Sequence, residues 1–125
     1  MEFVLKEEHG FSYIDEGEGE VLLLLHGLMG ALSNWDAVIR DFSKEYRVII
    51  PILPIYDLPL LTTGVKTLAK NVHRGITHMG LTDVTLLGNS LGGHVGLIYC
   101  INHPQVVKSL VLTGSSGLYE NAFGG

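Results

Sequence analysis

The sequence predicts an α/β protein with a mostly parallel sheet and an antiparallel hairpin at one edge. Three observations carry that expectation. Four near-continuous apolar runs recur along the chain, at Val21 to Leu25, Val48 to Leu53, Val84 to Leu87 and Leu110 to Leu112, as expected of strands covered on both faces. Segments of helical periodicity separate them. Glycine-bracketed turns, His26-Gly27-Leu28-Met29-Gly30 and Gly88-Asn89-Ser90-Leu91-Gly92-Gly93, each stand where an apolar strand gives way to a helix.

Phe3 to Lys6 and Phe11 to Ile14 are short alternating stretches separated by Glu8-His9-Gly10, the pattern of the edge hairpin. Trp35, Val38, Ile39 and Phe42 repeat at helical spacing, with Ser33 as expected N-cap and Asp36 as its capping-box partner. The proline-bearing segment from Pro51 to Gly64 is expected as an extended loop. Val65, Leu68, Ala69, Val72, Ile76 and Met79 form one apolar stripe closed by Gly80, and a third helix is expected from Leu91 to about His103. Strand and helix alternation of this kind gives right-handed crossovers and gathers ligands at the carboxyl ends of the strands.

Composition narrows the function. A chain of 125 residues with 46% hydrophobic side chains has the material for one domain with a core. Eight basic residues against 13 acidic ones, a net charge of −5 and no Lys/Arg cluster argue against a nucleic-acid partner. The first ten residues carry Glu2, Lys6, Glu7 and Glu8 in place of a signal-peptide core, and the longest apolar run is too short to span a bilayer. A cytoplasmic protein with no membrane partner is expected, and the lone Cys100, which can form no internal disulfide, agrees with a reducing compartment. Cys100 falls in an apolar helix pattern and is read as a buried small hydrophobe.

The two glycine-rich turns carry the chemistry. Gly-x-Ser-x-Gly between strand and helix forces a sharp turn that exposes a strained serine, so Ser90 is the candidate nucleophile and Gly88 and Gly92 its supports. The helix beginning behind Ser90 aims the Leu91 N–H and its dipole at a developing oxyanion. The His26-Gly27 loop offers the Leu28 N–H as a second donor, with His26 and Gly27 bracing it.

Other histidines fit the role of base poorly. His94 lies one turn into the elbow helix, where its side chain points away from the attacking face. His73 and His78, five apart on a helix, do not share a face as a metal pair, and His9 and His103 carry no specific signal. No zinc-binding pattern occurs, neither turn has the residues of a nucleotide-binding loop, and no metal or cofactor is expected. Trp35, Tyr56, Asp57 and Tyr119 are read as pocket lining or as turn and core residues.

On these motifs the chain resembles the alpha/beta-hydrolase superfamily along its whole length, as the amino-terminal part of a single such domain over residues 1–125 without its lid and carboxyl-terminal part. The resemblance implies a nucleophile at Ser90, oxyanion amides at Leu28 and Leu91, a small ester or similar carbonyl substrate, and no cofactor. The elbow with asparagine before serine, and the run Ser115-Ser116-Gly117-Leu118, are similar to the carbon–carbon bond hydrolases of meta-cleavage pathways. Two departures accompany it. The stretch Pro51-Ile52-Leu53-Pro54-Ile55-Tyr56-Asp57-Leu58-Pro59 replaces the glycine-rich loop usual in the superfamily, and nothing here matches its acid and histidine, which come from later strands. The isolated chain is therefore expected to be weakly active or inactive, and to self-associate through the sheet edge left open beside Leu110 to Leu112.

Overall fold

The computed structural model describes residues 5–8, 10–26, 36–53 and 60–113, the last segment with side chains from residue 64. Six strands form one sheet in the order β1-β2-β4-β3-β5-β6. These are β1 (Leu5–Glu8), β2 (Phe11–Glu16), β3 (Glu20–Leu25), β4 (Tyr46–Pro51), β5 (Val84–Asn89) and β6 (Val107–Thr113). The β3–β4, β3–β5 and β5–β6 pairs are parallel, whereas β1–β2 and β2–β4 are antiparallel. The sheet is thus mostly parallel with an antiparallel hairpin at one edge.

Successive strand residues point to opposite faces, and both faces are covered. Leu23, Leu25, Ile49, Val84 and Leu86 pack on one side against Leu68, Val72 and Ile76 of α2 (Leu60–Met79) and Val95 and Tyr99 of α3 (Leu91–Asn102). Leu24, Val48 and Ile50 face the other way, with Ile14 and with Ile39 of α1 (Asp36–Phe42). This two-sided burial explains why the central strands read as continuous apolar runs.

Several boundaries differ from the sequence expectation. Strand β1 runs on to Glu8, two residues past the alternating pattern, and its side chains are exposed. β6 runs well beyond Leu110 to Leu112, because an edge strand accepts Lys108 and Ser109, both exposed, within its ladder. The segment from Pro51 to Gly64 is not loop throughout. Helix α2 already begins at Leu60, and Gly64, at φ 65° and ψ 169°, kinks it. A glycine takes this conformation without a Cβ penalty, so the break falls there and the apolar stripe starts after it. At the other end Gly80, at φ 65°, closes α2 while the Leu81 N–H donates to the Ile76 carbonyl at 3.1 Å. Ser33 and Trp35 lie outside the described residues, as do His9, Tyr56, Asp57, Tyr119 and the run from Ser115 to Leu118.

A partly buried ion pair ties the antiparallel and parallel parts together. Arg47 of β4 donates to both carboxylate oxygens of Asp15 on β2, at 2.9 and 2.7 Å. The bidentate contact holds the guanidinium charged, raising its pKa further despite partial burial.

Candidate active site

β5 ends at Asn89 and α3 starts at Leu91, so Ser90 alone joins them and the chain reverses direction there. Ser90 adopts φ 57° and ψ −123°. The positive φ is uncommon for a residue with a Cβ, and at this ψ it lies outside the small left-handed basin as well. Among the described residues only Asp83 shares a positive φ without being glycine.

What holds the strain is visible around it. The Ser90 N–H donates to the Thr113 carbonyl of β6 at 3.0 Å, and the Ser90 carbonyl accepts from the Gly93 and His94 N–H groups at 3.0 and 3.3 Å. The Thr113 hydroxyl donates to Asn89 Oδ1 at 3.0 Å, fastening the residue before the serine to the same strand end. Glycine is obligatory beside the serine for lack of space. A Cβ on Gly88 would stand 2.6 Å from the Gly93 Cα and 2.7 Å from the Gly92 carbonyl oxygen. One on Gly92 would collide with the Leu25 carbonyl and lie 2.6 Å from the His26 oxygen.

The second contact also joins the two motifs. Leu25 pairs with Gly88 in the β3–β5 register, and the first turn of α3 lies against the backbone of Leu25 and His26. The end of β3 therefore lies directly beside the serine turn. His26 is 5% exposed, and its Nε2 accepts a hydrogen bond from the Leu53 N–H at 3.0 Å. An accepting Nε2 places the ring proton on Nδ1. This bond ties the end of β3 to the segment after β4. Gly27 and Leu28 lie outside the described residues.

Ser90 itself is exposed, whereas Gly88 and Gly92 are buried beneath it. The Leu91 and Gly92 N–H groups, at the very start of α3, are among those an α-helix leaves without a carbonyl of its own. Together with the helix dipole they make the space in front of Ser90 favourable for negative charge. A hydroxyl held there at the carboxyl edge of the parallel strands can meet a carbonyl carbon, and the adjacent amides can receive the oxygen that becomes negative.

Away from this turn the structure brings together residues that the sequence left apart. The rings of His73 on α2 and His103, the C-cap of α3, stack at 3.9 Å and 10°, and Tyr99 lies against both. The spacing of Tyr99 and His103 on one helix face was a usable signal, but nothing local points to His73. Cys100 is half-buried rather than buried.

Comparison with known proteins agrees with this geometry. The family model described as the alpha/beta hydrolase fold matches residues 20–123. The chain is 34% identical over 113 residues to the 2-hydroxy-6-oxo-6-(2'-aminophenyl)hexa-2,4-dienoic acid hydrolase of Metapseudomonas resinovorans, covering 85% of this chain and 39% of that protein. It is equally identical, 34% over 97 residues, to the magnesium-chelatase 30 kDa subunit of Rhodobacter capsulatus, over 73% of this chain and 34% of that one. Among solved structures, MGS-MChE2, an alpha/beta hydrolase enzyme from the metagenome of lagoon sediments of Mar Chica, Morocco, superposes with a TM-score of 0.86 at 49% identity. That match covers 94% of this chain and 54% of MGS-MChE2. The chain thus spans about half of that structure and less of the curated relatives. With a mostly parallel six-stranded sheet, a sharp strand-to-helix turn at Ser90 and a family match over most of its length, this chain belongs to the alpha/beta hydrolase fold family.

Proposed function

We propose that Ser90 is the nucleophile of a hydrolase acting on a small carboxylic ester or similar carbonyl compound. The observation that carries this reading is the backbone at Ser90, strained at φ 57° and ψ −123° and packed so closely that Gly88 and Gly92 admit no side chain. In the reaction Ser90 Oγ attacks the carbonyl carbon and gives up its proton to a base, while the oxyanion is received by the Leu91 and Leu28 amides. The tetrahedral adduct expels the alcohol, which takes up the proton, and water then releases the acid from the acyl-serine. No cofactor enters these steps. The lone Cys100, which can form no internal disulfide, favours a cytoplasmic setting.

A second reading keeps Ser90 but replaces the ester with a vinylogous diketone cleaved at a carbon–carbon bond. It is favoured by relatives named for that class of substrate, including the 2-hydroxy-6-oxo-2,4-heptadienoate hydrolase of Pseudomonas putida, 32% identical over 114 residues.

Mass spectrometry of the chain after incubation with p-nitrophenyl acetate tests the shared step. One acetyl group on the peptide containing Ser90, absent in Ser90→Ala, is the expected result. Acetylation elsewhere, or unchanged in Ser90→Ala, overturns the assignment and leaves a noncatalytic module as the better reading.

A further inference from the structure

We propose that the cleft between α2 and α3 is a second binding site, which takes a small organic anion with a flat aromatic body. The cleft measures about 400 Å³, within the usual size of small-molecule sites, and is lined by Lys66, Lys70, Arg74 and the cluster of His73, Tyr99 and His103. Along α3 it lies about 13 to 20 Å from Ser90, at 1.5 Å of rise per residue.

Charge argues for an anion. The protein is acidic, with a net charge of −5, yet three of its eight Lys and Arg residues line this one cleft and, among the described residues, no Asp or Glu does. Lys66, Lys70 and Arg74 follow one another at four-residue spacing, so they stand as neighbours on a single helix face, where like charges repel. None of the ion pairs among the described residues takes up Lys66 or Lys70. Arg74 is turned over the Phe11 ring, 5.1 Å from its centroid, which leaves the two lysines to meet the ligand's charge.

The aromatic cluster argues for a flat body. His73 and His103 are stacked nearly parallel, Tyr99 lies 4.6 Å from the His103 ring, and the Tyr99 hydroxyl is hydrogen-bonded to His73 Nδ1 at 3.1 Å. Tyr99 is 1% exposed and so cannot move aside, which fixes both imidazoles against it. Burial and the neighbouring His73 keep His103 neutral more readily than a free imidazole, favouring contact with an aromatic face. The stems of Lys66 and Lys70 and the methyl of Ala69 add apolar wall.

Phenyl phosphate and benzoate carry the shared chemistry with different head groups; inorganic phosphate has the charge without the ring, and phenol the ring without the charge. Each is titrated into the chain while the His73 and His103 ring resonances are followed by NMR. Saturable shifts with at least one aromatic anion are expected, with phosphate and phenol each binding at least about tenfold more weakly. The better of phenyl phosphate and benzoate identifies the head group. The double variant Lys66→Gln and Lys70→Gln, at exposed positions, should weaken binding by about tenfold or more, while Lys108→Gln on β6 leaves it unchanged. Phosphate or phenol binding as tightly as the better aromatic anion, absence of any shift, or full affinity in the double lysine variant overturns the proposal.

Discussion

Ser90 is held in a conformation that costs about 1–3 kcal/mol, and the surrounding structure over-determines it. Three hydrogen bonds to its backbone and the bare Cα atoms of Gly88 and Gly92 leave the turn no other path. The strain belongs to the backbone and not to the hydroxyl, which separates two kinds of substitution. Ser90→Ala removes the hydroxyl and keeps the strain. Ser90→Gly removes both, and after the greater unfolded-state freedom of glycine is subtracted it should raise stability by about 1 kcal/mol in urea denaturation. A Ser90→Gly variant less stable than Ser90→Ala would show that the turn is not strained. His26 acts in the same neighbourhood through a single bond, accepting the Leu53 N–H that would otherwise be buried without a partner.

Within α3 the same substitution should have opposite effects one turn apart. A Cβ at Gly92 meets the backbone of Leu25 and His26, which cannot yield without separating helix from sheet, so Gly92→Ala should destabilise by roughly 3 kcal/mol or more. A Cβ at Gly96 meets only side-chain methyls of Leu110 and Leu25 at 3.5 Å, an ordinary contact. Gly96→Ala should therefore gain helix propensity and stabilise by about 0.5–1 kcal/mol, read from the shift in urea midpoint. At the far end of α3, burial and then the charge of His73 lower the His103 pKa from its ordinary 6.5. A depressed histidine binds its proton more readily unfolded, so its contribution is present above the ordinary value and is lost as pH falls below it. Melting temperature should drop on acidification from about pH 7 to pH 5, and the drop should be smaller in His103→Asn. An identical pH profile in the variant would refute this. The elements themselves were largely legible in sequence, since buried parallel strands and the α2 stripe each write a period into the chain. Ser90, Gly88 and Gly92 were legible because the turn demands those residue types. The bend at Gly64 was not, since a glycine in a proline-rich stretch reads as loop. His73 meeting His103 was not either, because the contact depends on how two helices separated by a strand pack together.

At the scale of the molecule, the sheet among the described residues has β1 and β6 as its outer strands. Leu5 on the first is 48% exposed and Val111 on the second 46% exposed, so both edges offer backbone donors and acceptors beside apolar surface. The chain should self-associate through β6, seen as concentration-dependent sedimentation that Val111→Lys suppresses. A monomer at every concentration would sink this expectation. The same edge strand reaches into the candidate site, since Thr113 at its end supplies the carbonyl that grips the Ser90 amide. During synthesis the serine turn emerges from the ribosome well before that carbonyl does. The local sequence can sketch the bend at once, but the Ser90 backbone is held only when a later strand docks, so the proposed nucleophile is not set in place before the sheet beside it is built.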